Sequence, residues 1–291
     1  MDSQRHHHDQ HQHQHQHQHA GEADEAALAE LMDLDAEVLH SYLSGVIAWV
    51  GELAAGQPCR RILDLGSGTG TGAVALARHF EGAGVTAVDV SAPMLGRLRA
   101  RAREMGLDGR IRTVQADLDA GWPATGPADL VWASSSLHHM ADPDRVLAGV
   151  FTALRAGGLL AVAEMGSFPL FLPGDLGPGL EARCHAVLAE GLAEEVPLLG
   201  ADWGPRLRKA GFTMEAGRTF AIDLRAPLPA AAGRYAQACL GRIRASLDGR
   251  ISAGDLATLG MLLDGDGPGS LLRRDDLTVR TTRTVWVARR P

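Results

Sequence analysis

Apolar residues recur along this chain with two different periods. From Glu22 to Leu53 they fall at i, i+3 and i+4: Val38, Leu39, Tyr42, Leu43, Val46, Ile47, Val50, Leu53. That spacing predicts one long amphipathic helix. Ile62, Leu63 and Leu65 then make a short apolar strand, and Ala73 to Phe80 reads as a helix. Further short strands follow at Val85–Val90, Ile111–Gln115, the apolar run before Ser134, and Leu159–Ala163. Helices alternate with them at Ala92–Met105 and Asp144–Arg155. Ser91 is placed to cap the first of these, with Pro93 in its first turn. Strands alternating with helices predict an α/β fold, a doubly wound and mostly parallel sheet. The rhythm breaks at 165–200, which holds Pro169, Pro173 and Pro178 and then a helical run, Gly179–Glu195. It resumes with helix Trp203–Ala210 and strand Phe212–Leu224, breaks again into helix over 228–263, and ends on strand Thr278–Ala288. Both breaks are expected to form helical lid insertions, at about 165–200 and 228–270, over the carboxyl edge of the sheet, where ligands bind.

The stretch R-I-L-D-L-G-S-G-T-G-T-G-A, Arg61 to Ala73, carries the most chemistry. Gly66, Gly68 and Gly70 stand between a strand and a helix. Glycine admits positive φ and bares the backbone to a ligand, and the following helix offers free N–H groups. The spacing is G-x-G-x-G, not the G-x-G-x-x-G of a dinucleotide site. Asp64, two residues before the first glycine, would repel a pyrophosphate and attract a cation. A sulfonium cofactor with an ammonium end fits this better than NAD. Asp89 ends the second strand and can accept from ribose hydroxyls. Met94 would lie beside an adenine, where a thioether packs well. Asp117, after the third strand, could accept from the adenine amino group.

These segments are I-L-D-L-G-S-G-T-G (62–70), V-D-V-S-A-P-M-L (88–95) and Q-A-D-L (115–118). With A-D-L-V-W-A-S-S-S-L-H-H-M-A-D-P (128–143) and L-R-A-G-G-L-L-A-V-A-E (154–164), they resemble the class I S-adenosylmethionine-dependent methyltransferases of the small-molecule type. The resemblance covers roughly Arg60 to Glu164. It implies a Rossmann-like seven-stranded sheet with its last strand antiparallel, and S-adenosyl-L-methionine as cofactor. The cofactor-binding candidates are then Asp64, Gly66, Gly68, Gly70, Asp89, Val90, Met94, Asp117, Leu118 and Ser134. It also implies an N-terminal helical element, residues 21–56, ahead of the catalytic domain, residues 57–291.

Methyl transfer needs a nucleophile held in line with the methyl group and, for a hydroxyl or protonated amine, a base. Ser134-Ser135-Ser136-Leu137-His138-His139 follows strand four, where the methyl must point. His138 and His139 are the catalytic candidates, since imidazole titrates near neutrality. A backbone-fixing role for the pair is the alternative. Glu164, ending strand five, faces the same rim and is another candidate base. His185, His40 and Tyr42 are weaker contributors, and Trp132 and Trp203 are either pocket walls or core.

Composition narrows the acceptor. The chain has 291 residues, 45% of them hydrophobic, and a net charge of −7, so it has no general basic field for nucleic acid. Strand four is not followed by the motif of amino-methylating nucleic-acid enzymes, and no cysteine lies there for cytosine C5 chemistry. An NAD-dependent oxidoreductase is disfavoured by Asp64 and by Lys209, the only lysine, which lacks a tyrosine four residues before it. A non-catalytic cofactor-binding protein stays open. The three cysteines, Cys59, Cys184 and Cys239, are too scattered for a disulfide framework and predict a reducing, cytoplasmic setting. No apolar run approaches the ~20 residues of a membrane span, and no signal-peptide core is evident. Residues 1–20, with histidine alternating with glutamine from His11 to His19, are expected to be disordered, with non-specific affinity for divalent metal. The expected partner is a small-molecule substrate, without nucleic acid or membrane and without a dedicated metal site; a homodimer is the assembly left open.

Overall fold

A computed structural model describes residues 23–174, 179–247 and 249–291. The expectation for the His/Gln-rich tail lies outside the described residues.

Seven strands form one sheet in the order β3-β2-β1-β4-β5-β7-β6. They are β1 (Arg61–Leu65), β2 (Gly84–Asp89), β3 (Ile111–Gln115), β4 (Ala128–Ser134), β5 (Leu154–Met165), β6 (Thr213–Leu224) and β7 (Val279–Arg289). The first five pair in parallel, while β7 runs antiparallel to β5 and β6. The strand order reverses between β1 and β4, the place where open α/β sheets bind ligands.

Nine helices accompany the sheet among the described residues: α1 (residues 23–38), α2 (His40–Leu53), α3 (Thr71–His79), α4 (Ala92–Glu104), α5 (Pro143–Ala153), α6 (Leu180–Glu195), α7 (Gly204–Lys209), α8 (Ala232–Ser246) and α9 (Ala253–Leu263). Alternation along β1 sorts the core. Ile62 turns toward α2, α3 and α4, while Leu63 and Leu65 turn toward α5 and α7. A third cluster joins α6, α8 and α9 to the second half of α1 through Leu34, Val38 and Leu39.

Several predicted boundaries move. The helix expected over Glu22–Leu53 is two helices broken at Leu39, whose φ of −99° and ψ of 18° leave helical geometry. The break lets Leu34 and Val38 reach the third cluster while Val46, Ile47 and Val50 cover the sheet. The helix expected over 228–263 also splits, ending at Ser246 and restarting behind a Ser252 cap that accepts from the Asp255 N–H at 3.1 Å. Strand β5 begins at Leu154, five residues before the predicted Leu159, because the helix before it stops at Ala153. No helix among the described residues is long and apolar enough to cross a membrane.

Candidate active site

The glycine loop supplies the first half of the site. Gly66, Gly68 and Gly70 have φ of +65°, +51° and +87°, values that an L-residue adopts only at a cost of about 1–2 kcal/mol. Gly66 and Ser67 donate their N–H groups to Val88 O at 2.8 and 3.0 Å, pinning the loop to the end of β2. Asp89 adds a second tie. Its Oδ2 accepts from the Gly68 N–H at 2.8 Å and its Oδ1 from the Ser91 N–H at 2.9 Å. Each oxygen keeps a further lone pair, so the acid can still receive ribose hydroxyls. Ser91 caps α4 as expected, accepting from the Met94 N–H at 3.1 Å. Met94 is buried there, Leu118 is buried beyond β3, and Val90 and Asp117 are exposed at the strand ends.

Asp64 is 2% exposed, under the start of α3. Its carboxyl is pushed up to about 7, first by burial and then by the charge of Asp89, against the Ala73 N–H, which holds it down. Its Oδ2 has no hydrogen-bond partner among the described residues, and neither do the buried hydroxyls of Ser67 and Thr69. A buried acceptor left unmatched costs about 1–3 kcal/mol, and an ammonium in the glycine loop would satisfy it. The residues therefore fit a ligand with a cationic amino-acid end and a ribose. Met32 of α1 closes the loop from above: a Cβ on Gly68 would stand 2.2 Å from its Cε.

The second half gathers at the ends of β4 and β5. Ser135 has φ +49°, the one described non-glycine residue in the left-handed region, and its N–H donates to Ala163 O at 2.8 Å. This turn swings the chain into a short 3-10 helix, Leu137–His139. Ser136 Oγ donates to Leu65 O at 2.8 Å, tying this turn to the end of β1. His138 Nδ1 lies 2.5 Å from Glu164 Oε2, and Glu164 Oε1 accepts from the Leu137 N–H at 3.2 Å. The side chains of His138 and Glu164 are 4% and 2% exposed. A carboxylate can only accept, so Nδ1 carries a proton, and in the neutral ring Nε2 is then the nitrogen with the lone pair. The His139 ring lies 4.1 Å from that of His138. Burial, and then His138, hold the His139 imidazole below its usual range.

The structure thus brings Asp64, the three glycines, Asp89, Ser134, His138, His139 and Glu164 to one edge of the sheet. Others stand apart. His40 bonds locally, to Glu37 O at 3.1 Å and to Ser41 Oγ at 3.2 Å. Trp132 and Trp203 are core residues. The Tyr42 ring packs edge-on against Phe220 at 5.7 Å, and burial raises its hydroxyl, with Arg283, Asp35 and Glu164 as the nearby charges. His185 sits on α6 against Phe168.

Periodicity does not show what α1 does. Asp24 and Glu30 pair with Arg242 and Arg234 of α8, at 3.0 and 3.2 Å. Glu25 accepts from Ser91 Oγ, and Asp33 pairs with Arg97 and Arg101 of α4, at 3.3 and 3.4 Å. Asp35 accepts from Tyr235 Oη at 2.6 Å and pairs with the buried Arg283 at 3.3 Å. The run of acids ahead of an arginine-rich chain was the available signal. Among the described residues no group of three or more His, Cys, Asp or Glu is arranged to hold a metal ion.

Residues 62–158 match the family described as a methyltransferase domain. The malonyl-[acyl-carrier protein] O-methyltransferase of Laribacter hongkongensis is 40% identical over 114 residues, 36% of this chain and 37% of that protein. The 27-O-demethylrifamycin SV methyltransferase of Amycolatopsis mediterranei is 31% identical over 176 residues, 60% of this chain and 62% of that one. The chain therefore spans less than two thirds of either relative's length. The crystal structure of the [4+2]-cyclase SpnF superposes with a TM-score of 0.51 at 21% identity, covering 85% of this chain and 80% of that one. That likeness concerns the fold alone, and a shared fold does not fix the reaction.

Proposed function

We propose that this chain, whose residues 62–158 match the methyltransferase domain family, is a class I S-adenosylmethionine-dependent methyltransferase that methylates a hydroxyl or amine of a small molecule, with His138 as the base. S-adenosylmethionine, the cofactor of this family, supplies an activated methyl carbon and its leaving group when bound. The glycine loop, Asp64 and Asp89 would hold it. What remains for the protein is to align the acceptor, exclude water and move a proton.

The observation that carries this reading is the buried His138–Glu164 pair. Glu164 fixes the ring and its tautomer, leaving Nε2 to take the acceptor's proton. It also offsets the positive charge that forms on the ring. His139, kept neutral by its surroundings, adds no opposing charge. Glu164 acts through the His138 ring and the Leu137 N–H, so it is a positioning residue. The unpaired cysteines Cys59, Cys184 and Cys239 support a reducing compartment, and we place the protein in the cytoplasm.

The test begins with calorimetric titration of S-adenosylhomocysteine. An acceptor is then sought by incubating metabolite pools with methyl-labelled cofactor. Glu164→Gln should lower kcat by roughly 10²–10⁴, shift its pH profile, and leave S-adenosylhomocysteine affinity unchanged. Full turnover with an unaltered profile removes His138 and Glu164 from the proton path. Absence of S-adenosylhomocysteine binding removes the methyltransferase reading itself.

A further inference from the structure

Beyond the His138–Glu164 pair the chain leaves β5 and runs under α6. There a cleft of about 360 Å³ opens between residues 165–168, the Ala189, Leu192 and Ala193 face of α6, and the loop after it, including Val196 and Leu199. We propose that this cleft receives the methyl acceptor and that the acceptor is a neutral, apolar molecule of one or two rings. The inference rests on the methyl-transfer reading and adds to it the chemical class of the substrate.

Position links the cleft to the transfer site. Met165 in its wall follows Glu164 directly in the chain. Leu198 and Met140, the neighbours of Leu199 and His139, pack against the same core cluster. An acceptor lying in the cleft would reach the end of β5, one residue beyond Glu164. The volume sits at the small end of small-molecule pockets.

The lining sets the chemistry. None of its eleven residues carries a charged side chain, in a chain where 22% of residues do. Its one hydroxyl, Ser167 Oγ, accepts from the Thr282 N–H at 3.0 Å and from Thr282 Oγ1 at 3.1 Å, which leaves a single O–H as the lining's side-chain donor. Behind the wall, Phe168 meets the His185 ring at 5.5 Å. Burial holds that imidazole below its usual range, so it adds no charge. Arg283 hydrogen-bonds to Ser167 O at 3.4 Å from outside the lining and is matched by Asp35 at 3.3 Å. A carboxylate, phosphate or ammonium against this lining would give up part of its hydration with no charged side chain of the lining to replace it. An apolar ring loses only contact with water, which favours entry.

The probes are 1-naphthol and its charged relatives of the same shape, 1-naphthoate and 1-naphthylmethylammonium. Each is titrated at neutral pH by tryptophan fluorescence, with the protein saturated by S-adenosylhomocysteine. 1-Naphthol should bind about tenfold or more tighter than either ion. Leu192→Asp, at a half-buried position, should weaken 1-naphthol by about tenfold or more and leave S-adenosylhomocysteine within about twofold. Ala193→Asp, at an exposed position that tolerates a charge, should do the same if the first variant misfolds. The proposal is overturned by equal or tighter binding of either ion, by no 1-naphthol binding, or by wild-type 1-naphthol affinity in the aspartate variants. Loss of S-adenosylhomocysteine binding in the wild-type protein is a separate result. It removes the methyl-transfer reading, while titrations without it still judge the cleft.

Discussion

At the scale of single residues, the glycine loop shows how conformation and space act together. A Cβ on Gly70 would stand 2.0 Å from Leu98 Cδ1 and 2.7 Å from Cγ, in a backbone with φ +87°. Gly82 also has positive φ, +77°, but nothing lies within 4 Å of its Cβ position. Gly70→Ala should therefore cost the left-handed penalty of about 1–2 kcal/mol plus an overpacking term of about 1–3 kcal/mol. Gly82→Ala should cost the first alone. Urea denaturation of the two variants separates these terms, and equal losses would refute the packing half. The glycines, Asp89 and the histidine pair were legible in the sequence because loop chemistry restricts those positions to few residue types. The Glu164 hydrogen bond to His138 was not. It needs the parallel register of β4 with β5, which sets Ser134 beside Ala163, and no local pattern encodes a contact across 26 residues. The strain at Ser135 was hidden for a similar reason. Serine has no marked preference for positive φ, and the tie of its N–H to Ala163 O imposes the turn.

At the scale of elements, α1 is held in two different ways along its length. Its second half is anchored by apolar burial, through Leu34 and Val38. Its first half adds ion pairs, through Asp24, Glu30 and Asp33, to the burial of Ala29 and the packing of Leu31. Exposed ion pairs contribute about 0–1 kcal/mol each and weaken as salt screens them. Raising sodium chloride from about 0.05 to 0.5 M shortens the screening length several-fold. It should open residues 23–33 by one or two kcal/mol, so that their amides exchange roughly 5–30 times faster. Residues 34–38 and strand β1 should keep their protection. Uniform exchange along α1 at both salt concentrations would show that charge does not fasten the helix. Because Met32 lies in the first of these parts and covers Gly68, the same salt step should speed release of a ligand from the glycine loop. Periodicity found this helix and missed its break at Leu39. The apolar stripe continues through the break in sequence, while in space its two parts serve different clusters.

At the scale of the whole molecule, the sheet places a cation-seeking acid under the cofactor loop and lets stability bear the consequence. The seven-stranded, mostly parallel sheet with its last strand antiparallel followed from the alternating pattern and the family resemblance. The two interrupting segments were expected to build a lid together, but not the particular ties of α6 to α9 and to the loop before it, through Arg183–Asp255 and the Arg250 bond to Val187 O at 3.1 Å, which join residues about 70 apart in the chain. Asp64, in the middle of the sheet, titrates near 7 in the folded chain and near 4 when unfolded. Between these values the native state binds the extra proton. Stability contributed by the neutral carboxyl is full below pH 4 and declines as pH rises through 7. A shift of about three units amounts to roughly 4 kcal/mol at most. Asp64→Asn should remove this decline, so that variant and wild-type stabilities, measured by urea denaturation, converge below pH 4, separate between pH 4 and 7 in favour of the variant, and stay a constant amount apart above that. Cofactor affinity should move the opposite way. An ionised Asp64 attracts the ammonium of S-adenosylmethionine, so wild-type affinity should rise from pH 6 to 8 with proton release at the lower end, and Asp64→Asn should bind weakly at every pH. Calorimetry in two buffers of different ionisation enthalpy measures that proton. A wild-type affinity flat across the range, with no proton released, would leave the buried acid without a part in holding the cofactor.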